Sequence, residues 1–256
     1  MLSTEKNSLF TIGSIVSLIM TIIVNFLAIA LPLNGKTTQE LSDGYPNPFT
    51  PAGYVFSIWS IIYTLLIVFV LYQTVNREKV FDSTLSGLFI ISNIFNSVWI
   101  FLWHYEQIFL SLVVMIGLLL TLIGIYWRLK IGLVEVDSRT KWAVHVPFSV
   151  YLGWISVATI ANTTVFLLSI NWDGFGVGAE IWTGIVLFVA TILAMILVMT
   201  RNDVAYGLVA IWAFIGIIVK QFTTSTIVAG TAGLFTLIIL LTIVGKNFSN
   251  FYNSRT

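Results

Sequence analysis

Apolar residues run along the chain in eight long blocks, and short polar clusters separate them. The blocks lie at about 9–33, 51–73, 85–104, 108–127, 142–169, 179–200, 204–220 and 225–245. Each is close to the roughly 20 residues that a helix needs to cross the hydrocarbon core of a bilayer. The separators are charged or turn-forming, for example Asn76-Arg77-Glu78-Lys79, Arg128-Leu129-Lys130, Asn171-Trp172-Asp173-Gly174 and Arg201-Asn202-Asp203. The pattern predicts an all-α fold, a polytopic membrane bundle of eight transmembrane helices. Its seventh block is the shortest and is closed by Lys220.

Lysine and arginine give an independent reading of the topology. With eight spans, Lys6, Arg77, Lys79, Arg128, Lys130, Arg139, Lys141, Arg201, Lys246 and Arg255 fall on one side, and Lys36 and Lys220 on the other. Cations collect on the cytoplasmic side of membrane proteins, so both termini are expected in the cytoplasm and the 34–50 loop outside. The expected location is the plasma membrane.

Composition removes most other chemistry. Hydrophobic residues make up 58% and charged ones 9% of the 256, where a soluble domain carries roughly a quarter charged residues. A soluble enzyme, a nucleic-acid binder and a disordered chain are excluded on that ground. There is no Cys, which removes disulfides, thiolate metal sites and a thiol nucleophile together. The two histidines, His104 and His145, are too few for a metal cage, so neither a metal nor a cofactor is expected.

The polar groups inside the blocks are mainly amides: Asn25, Asn93, Asn96 and Asn162. No carboxyl group falls at the centre of a block, as a proton relay or an ion-coupled transporter would need. Trp103, Trp127, Trp142, Trp172 and Trp182 lie near block ends, where Trp commonly anchors a helix at the interface. Trp59, Trp99 and Trp154 lie deeper. At helical spacing they join Phe56 and Tyr63 on the second helix, Asn93, Asn96 and Trp103 on the third, and Ala158 and Asn162 on the fifth. Ordinary helix packing, with the amides as interhelical hydrogen bonders, is the reading that spacing alone favours. The alternative is an aromatic pocket for a flat apolar ligand with polar edges.

The same residues carry a family resemblance. Residues 50–63 read TPAGYVFSIWSIIY, keeping Pro51, Trp59 and Tyr63 in register with Pro-Pro-x-Trp-Val-Phe-Gly-Pro-Val-Trp-x-x-Leu-Tyr. Residues 93–99 read NIFNSVW, matching Leu-x-Leu-Asn-x-x-Trp at Asn96 and Trp99. Residues 151–162 read YLGWISVATIAN, matching Tyr-Leu-Ala-Trp-x-x-Phe-Ala-Thr-x-Leu-Asn at Tyr151, Leu152, Trp154, Ala158, Thr159 and Asn162. These patterns belong to the TspO/MBR family of tryptophan-rich sensory proteins, translocator protein and peripheral benzodiazepine receptor, which the chain resembles over about 9–171. The last three blocks have no counterpart in the five-helix pattern, so the chain looks like an extended member, with a TspO-like bundle at 1–171 and a further three-helix region at 172–256.

The resemblance implies a non-enzymatic membrane receptor or carrier for a planar hydrophobic molecule such as a tetrapyrrole. A transporter of small hydrophobic molecules is the second reading, and a porphyrin-degrading enzyme the last. Trp59, Trp99 and Trp154 would be the aromatic walls, Asn96 and Asn162 the polar edge, Ala158 the gap between side chains, and Pro51 and Tyr63 the pocket mouth. The basic–aromatic pattern linked to sterol binding in some members is missing, since 163–171 reads TTVFLLSIN. Partners are then the lipid bilayer and the ligand, with no nucleic acid; a homodimer is compatible with such a bundle.

Overall fold

The computed structural model describes residues 2–31, 33–76 and 82–253. Among them every regular element is helical, and eight helices are long and apolar enough to cross a membrane. In chain order these are α1 (Leu2–Ala30), α2 (Gly53–Val75), α3 (Ser83–His104), α4 (Ile108–Arg128), α5 (Ser138–Ser169), α6 (Ala179–Arg201), α7 (Val204–Gln221) and α8 (Thr226–Asn253). They coincide with the eight apolar blocks, so the protein is an integral, multi-pass membrane protein. A short helix, Thr38–Asp43, lies in the connection between α1 and α2.

Local chemistry explains where the helices begin and end. Side-chain oxygens of Asp82, Asp137 and Asp203 accept the backbone N–H groups of Thr84, Arg139 and Tyr206 at the starts of α3, α5 and α7, satisfying donors that a helix start leaves open. The ends of α3, α4 and α5 turn through left-handed residues, Glu106, Lys130 and Asn171. At each, the next N–H reaches back five residues to a carbonyl: Gln107 to Leu102, Ile131 to Tyr126 and Trp172 to Leu167. That geometry closes the last helical turn and reverses the chain within a few residues. In α5 a wider π turn, Lys141–His145, precedes Pro147, whose missing N–H disfavours a regular α turn.

Polar contacts divide the bundle into two ends. At one, Lys36 pairs with Glu106 at 2.8 Å and Lys220 pairs with Asp43. At the other, Arg128 pairs with Asp82, and Arg201 Nη1 donates to the Ile131 carbonyl at 3.3 Å. Lys220 therefore ends on a carboxylate of the α1–α2 connection. Eight crossings leave both ends of the bundle's chain on the Arg128 side. Of the cations assigned there from sequence, Arg77, Lys79 and Arg255 and the side chain of Lys6 lie outside the described residues.

Helices α6–α8 are packed into the same core as α1–α5. α3 lies against α1 and α4, α5 against α2, α4 and α7, and α7 against α6 and α8. The joint is polar and buried. Asp203 Oδ2 accepts from Tyr126 Oη of α4 at 2.9 Å and from Ser149 Oγ of α5 at 2.8 Å, while Oδ1 caps α7. Nothing in the apolar pattern marks this residue, which reads from sequence as part of a turn.

Replacing Asp203 by Ala would remove the cap and leave two buried hydroxyls without their acceptor. Each such loss costs roughly 1 kcal/mol or more, so Asp203→Ala should lower stability by about 3 kcal/mol in denaturant unfolding of the detergent-solubilised protein. Tyr126→Phe and Ser149→Ala, which remove donors only, should each cost about 1 kcal/mol. Three equal losses would show that the joint is not held through Asp203.

Candidate functional site

Three structural choices in the chain place a cavity at the Lys36–Lys220 end of the bundle. Pro51 precedes α2, which starts as a tight 3-10 turn, Gly53–Ser57, and brings Phe56 and Trp59 inward. Thr37 and Glu40 cap the short helix reciprocally, Glu40 N donating to Thr37 Oγ1 at 3.2 Å and Thr37 N to Glu40 Oε2 at 2.7 Å. The Thr37 N–H, and then the Thr37 hydroxyl donating to the same Oε2 at 2.9 Å, hold the Glu40 carboxyl below its ordinary value. The short helix then lies as a roof, with Thr38 and Ser42 on the cavity. The third choice is α7, whose Ala213 and Ile217 close one wall.

Tryptophan rings make the other walls. Trp59 is the hub: it stacks on Tyr63 with centroids 5.5 Å apart, and lies 6.4 Å from Trp99, 6.1 Å from Trp154 and 6.1 Å from Tyr151. Trp99 stacks on Trp103, one helical turn on, at 5.8 Å. Phe56 meets Trp154 edge-on at 6.1 Å. Trp59, Trp99, Trp103 and Trp154 all line the cavity, together with Ala158 and Asn162 of α5.

The amides do different work from one another. Asn162 Oδ1 accepts from Trp99 Nε1 at 3.0 Å, and its Nδ2 donates to Ser111 Oγ at 3.1 Å. Asn162 thus faces the cavity while fixing the plane of one of its walls. Asn96 is not in the lining. Its Oδ1 accepts from Asn25 Nδ2 at 2.8 Å and its Nδ2 donates to Tyr151 Oη at 3.0 Å. It braces the floor from beneath, next to Tyr63 and Tyr151. The polar edge of the cavity therefore holds one amide, not two.

Two further expectations change. Tyr63 does not sit at the mouth: α2 enters at the roof, and Tyr63 is one turn deeper, under Trp59. Trp103 is not an interface anchor but a wall, only 5% exposed, with Nε1 donating to the Thr38 carbonyl of the roof at 3.4 Å. Trp127 and Trp142, 66% and 63% exposed, do project outward as belt residues would. Pro51 lines the cavity beside the roof. The spacing of Trp99 and Trp103 carried the signal for the latter; Ala213 and Ile217 carried none.

Electrostatically the cavity is bare. No Lys, Arg, His, Asp or Glu is among its lining residues, and the described residues contain no group of three or more His, Cys, Asp or Glu that could hold a metal ion. Charges stand outside, on the roof. There the Lys36 ammonium and the Tyr45 hydroxyl hold the Glu106 carboxyl below its ordinary value, the Lys36 hydrogen bond contributing most. One buried polar atom of a lining residue has no partner among the described residues: Nε1 of Trp154, a residue 3% exposed. A buried N–H in that state costs about 1–3 kcal/mol, which a ligand carrying an acceptor would recover.

The family model described as TSPO-like protein matches residues 11–245, a stretch that reaches from α1 into α8. The matched stretch includes α6 and α7 whole. No curated protein and no solved structure matches the chain.

The geometry sets the outcome for Asn162. Since its amide holds Trp99 and Ser111, Asn162→Leu should lower stability by about 1 kcal/mol, the scale of an interhelical hydrogen bond in a membrane bundle. It should also free the Trp99 ring, seen as a loss of order in its indole NMR signal. Unchanged stability with an unchanged Trp99 signal would mean that the amide serves only the cavity.

Proposed function

The chain belongs to the TSPO-like protein family, and from that premise we propose that it is a membrane receptor or carrier, not an enzyme, for a flat apolar ligand bearing a hydrogen-bond acceptor, of the tetrapyrrole type. One observation carries the reading: four tryptophans enclose a cavity, and the buried N–H of one of them, Trp154, has no partner among the described residues. Planar rings suit planar ligands, through face and edge contacts worth roughly 0.5–1.5 kcal/mol each beyond burial. The lining offers no titratable side chain for general acid–base or nucleophilic chemistry, which favours binding over turnover. In this reading Trp59, Trp99, Trp103 and Trp154 are walls, Ala158 gives space, and Asn162 and Trp154 Nε1 face the polar edge.

Size adds a condition. The cavity measures about 50 Å³, well under the roughly 300–1,000 Å³ of pockets that hold drug-sized ligands. A tetrapyrrole therefore enters only as the roof and the rings move apart. We place the yielding part at the roof, where two of the ties are exposed ion pairs, Lys36–Glu106 and Lys220–Asp43, each worth at most about 1 kcal/mol, and the Trp103–Thr38 bond is long at 3.4 Å. We place the Arg128 end in the cytoplasm, with both termini, and the roof on the outer face of the plasma membrane, following the lysine and arginine bias.

Titrating the purified protein with protoporphyrin IX, followed by Trp quenching, tests the ligand. Saturable binding is expected. Trp154→Phe keeps a ring but loses the N–H, and should weaken it by about 1 kcal/mol, or roughly fivefold. Trp172→Ala, in the turn after α5 and outside the cavity lining, should leave it unchanged. Absence of saturable binding would refute the receptor reading. Thiol labelling of an added C-terminal cysteine in intact cells tests the orientation, and labelling by an impermeant reagent would reverse it.

A further inference from the structure

We propose that α7 is the wall that selects the ligand, with Ala213 setting the size of the planar molecule admitted. The proposal rests on reading the cavity as a ligand site, and goes beyond it in assigning selection to a helix with no aromatic motif.

One face of α7 does the work. Residues 213, 216, 217 and 220 follow at i, i+3, i+4 and i+7 and so point the same way. Ala213 and Ile217 line the cavity, and both are fully buried. Between them, Gly216 approaches the α2 entrance so closely that a Cβ there would collide with Val55 Cγ2. Its carbonyl accepts from Ala52 N at 3.0 Å. The neighbouring Trp212 donates from Nε1 to the Val55 carbonyl at 3.1 Å, with its ring edge-on to Tyr54 at 5.4 Å. Lys220 completes the face by pairing with Asp43, next in chain to Ser42 of the roof. One helix thus touches wall, entrance and roof.

That helix cannot retreat or advance freely. Asp203 fixes its start to α4 and α5. Beside Trp154, a Cβ on Gly153 would lie 3.1 Å from Val209 Cβ, so α5 and α7 are already in close contact there. With both neighbours fixed, the space between α7 and the tryptophans depends on the side chain at 213. Alanine leaves that space open; a longer side chain fills it from the wall opposite the aromatic motif. The Gly216 carbonyl, accepting from Ala52 N, and the Trp212 indole, donating to the Val55 carbonyl, hold the start of α2 against this fixed wall, so the entrance is built on α7 as well.

The chain contains no cysteine, so a single thiol can report on the wall. Full-length Ala213→Cys, and Leu208→Cys on the 51%-exposed lipid side of the same helix, are reacted with methyl methanethiosulfonate with and without protoporphyrin IX. Protection by about fivefold is expected at 213 and none at 208. In parallel, Ala213→Leu should raise the Kd for protoporphyrin IX by about tenfold, as overfilling a fixed space does, while the smaller planar probe acridine binds within about twofold of the unsubstituted chain. Equal thiol reaction rates at 213 with and without porphyrin, where Trp154→Phe still weakens binding, would overturn the role of α7 and leave the ligand site standing. If the unsubstituted chain binds neither probe, both fall. Should Ala213→Leu fail to fold, the near-isosteric thiol variant decides.

Discussion

Inside a bilayer a hydrogen-bonding group that has left water must find its partner within the protein, and the bundle is arranged around that demand. The seam between α1 and α3 shows it: Thr21 Oγ1 donates to the Asn93 carbonyl at 3.0 Å, Asn93 Nδ2 to Ser17 Oγ at 3.1 Å, and Asn25 Nδ2 to Asn96 Oδ1 at 2.8 Å. Between α3, α4 and α5 the same demand joins Trp99, Asn162 and Ser111. At the far end it joins Asp203 to two hydroxyls. Three buried side-chain atoms lack a partner among the described residues: Gln73 Oε1, Asn93 Oδ1 and Trp154 Nε1. The first two lie away from the cavity; of the three residues, Trp154 lines it. Its open N–H is the one unmet hydrogen-bonding demand that belongs to a residue of the cavity wall.

This accounting also gives the cavity a rigid side and a soft side. The floor is built from buried rings and amides, where Tyr63, Asn96 and Tyr151 support Trp59 and Asn96 is itself held by Asn25 of α1. Moving any of them exposes several polar groups to hydrocarbon at once, each loss costing on the order of 1 kcal/mol or more. The roof carries two exposed ion pairs, Lys36–Glu106 and Lys220–Asp43, whose pairing is weak and whose groups rehydrate freely when parted. In the proposed opening the exposed pairs of the roof part first, while the buried floor under Trp59 stays in place.

The sequence carried the fold almost whole, because eight apolar blocks and their charged separators are the direct imprint of bilayer thickness. It carried the deep tryptophans too, since Trp59, Trp99 and Trp154 lie well inside their blocks, beyond the reach of an interface belt. What it carried poorly was the job of each polar group. Asn96 and Asn162 look alike along the chain, but one braces the floor and the other faces the cavity. The difference arises from their neighbours: Asn25 of α1 occupies Asn96, while Trp99 and Ser111 take the Asn162 amide. Trp103 reads as an interface anchor because it stands near a helix end, but the short helix Thr38–Asp43 covers that end. A roof of six residues has no hydrophobic period long enough to announce itself.

The contribution of α7 illustrates the limit more sharply. Ala213, Gly216 and Ile217 are ordinary residues of a membrane helix, and small side chains there read as packing. Their importance comes from position: the Gly153–Val209 contact and the Asp203 joint bring α7 beside the tryptophan cluster, at the side that α2, α3 and α5 leave open. A wall made of small residues can be defined only by what stands opposite it. On the proposed reading of the cavity as a ligand site, the motif tryptophans set its aromatic side and variation in ligand falls to the plain side. That side belongs to α7, so differences in ligand among chains of this pattern should be sought at positions equivalent to 213 and 217 before the tryptophans.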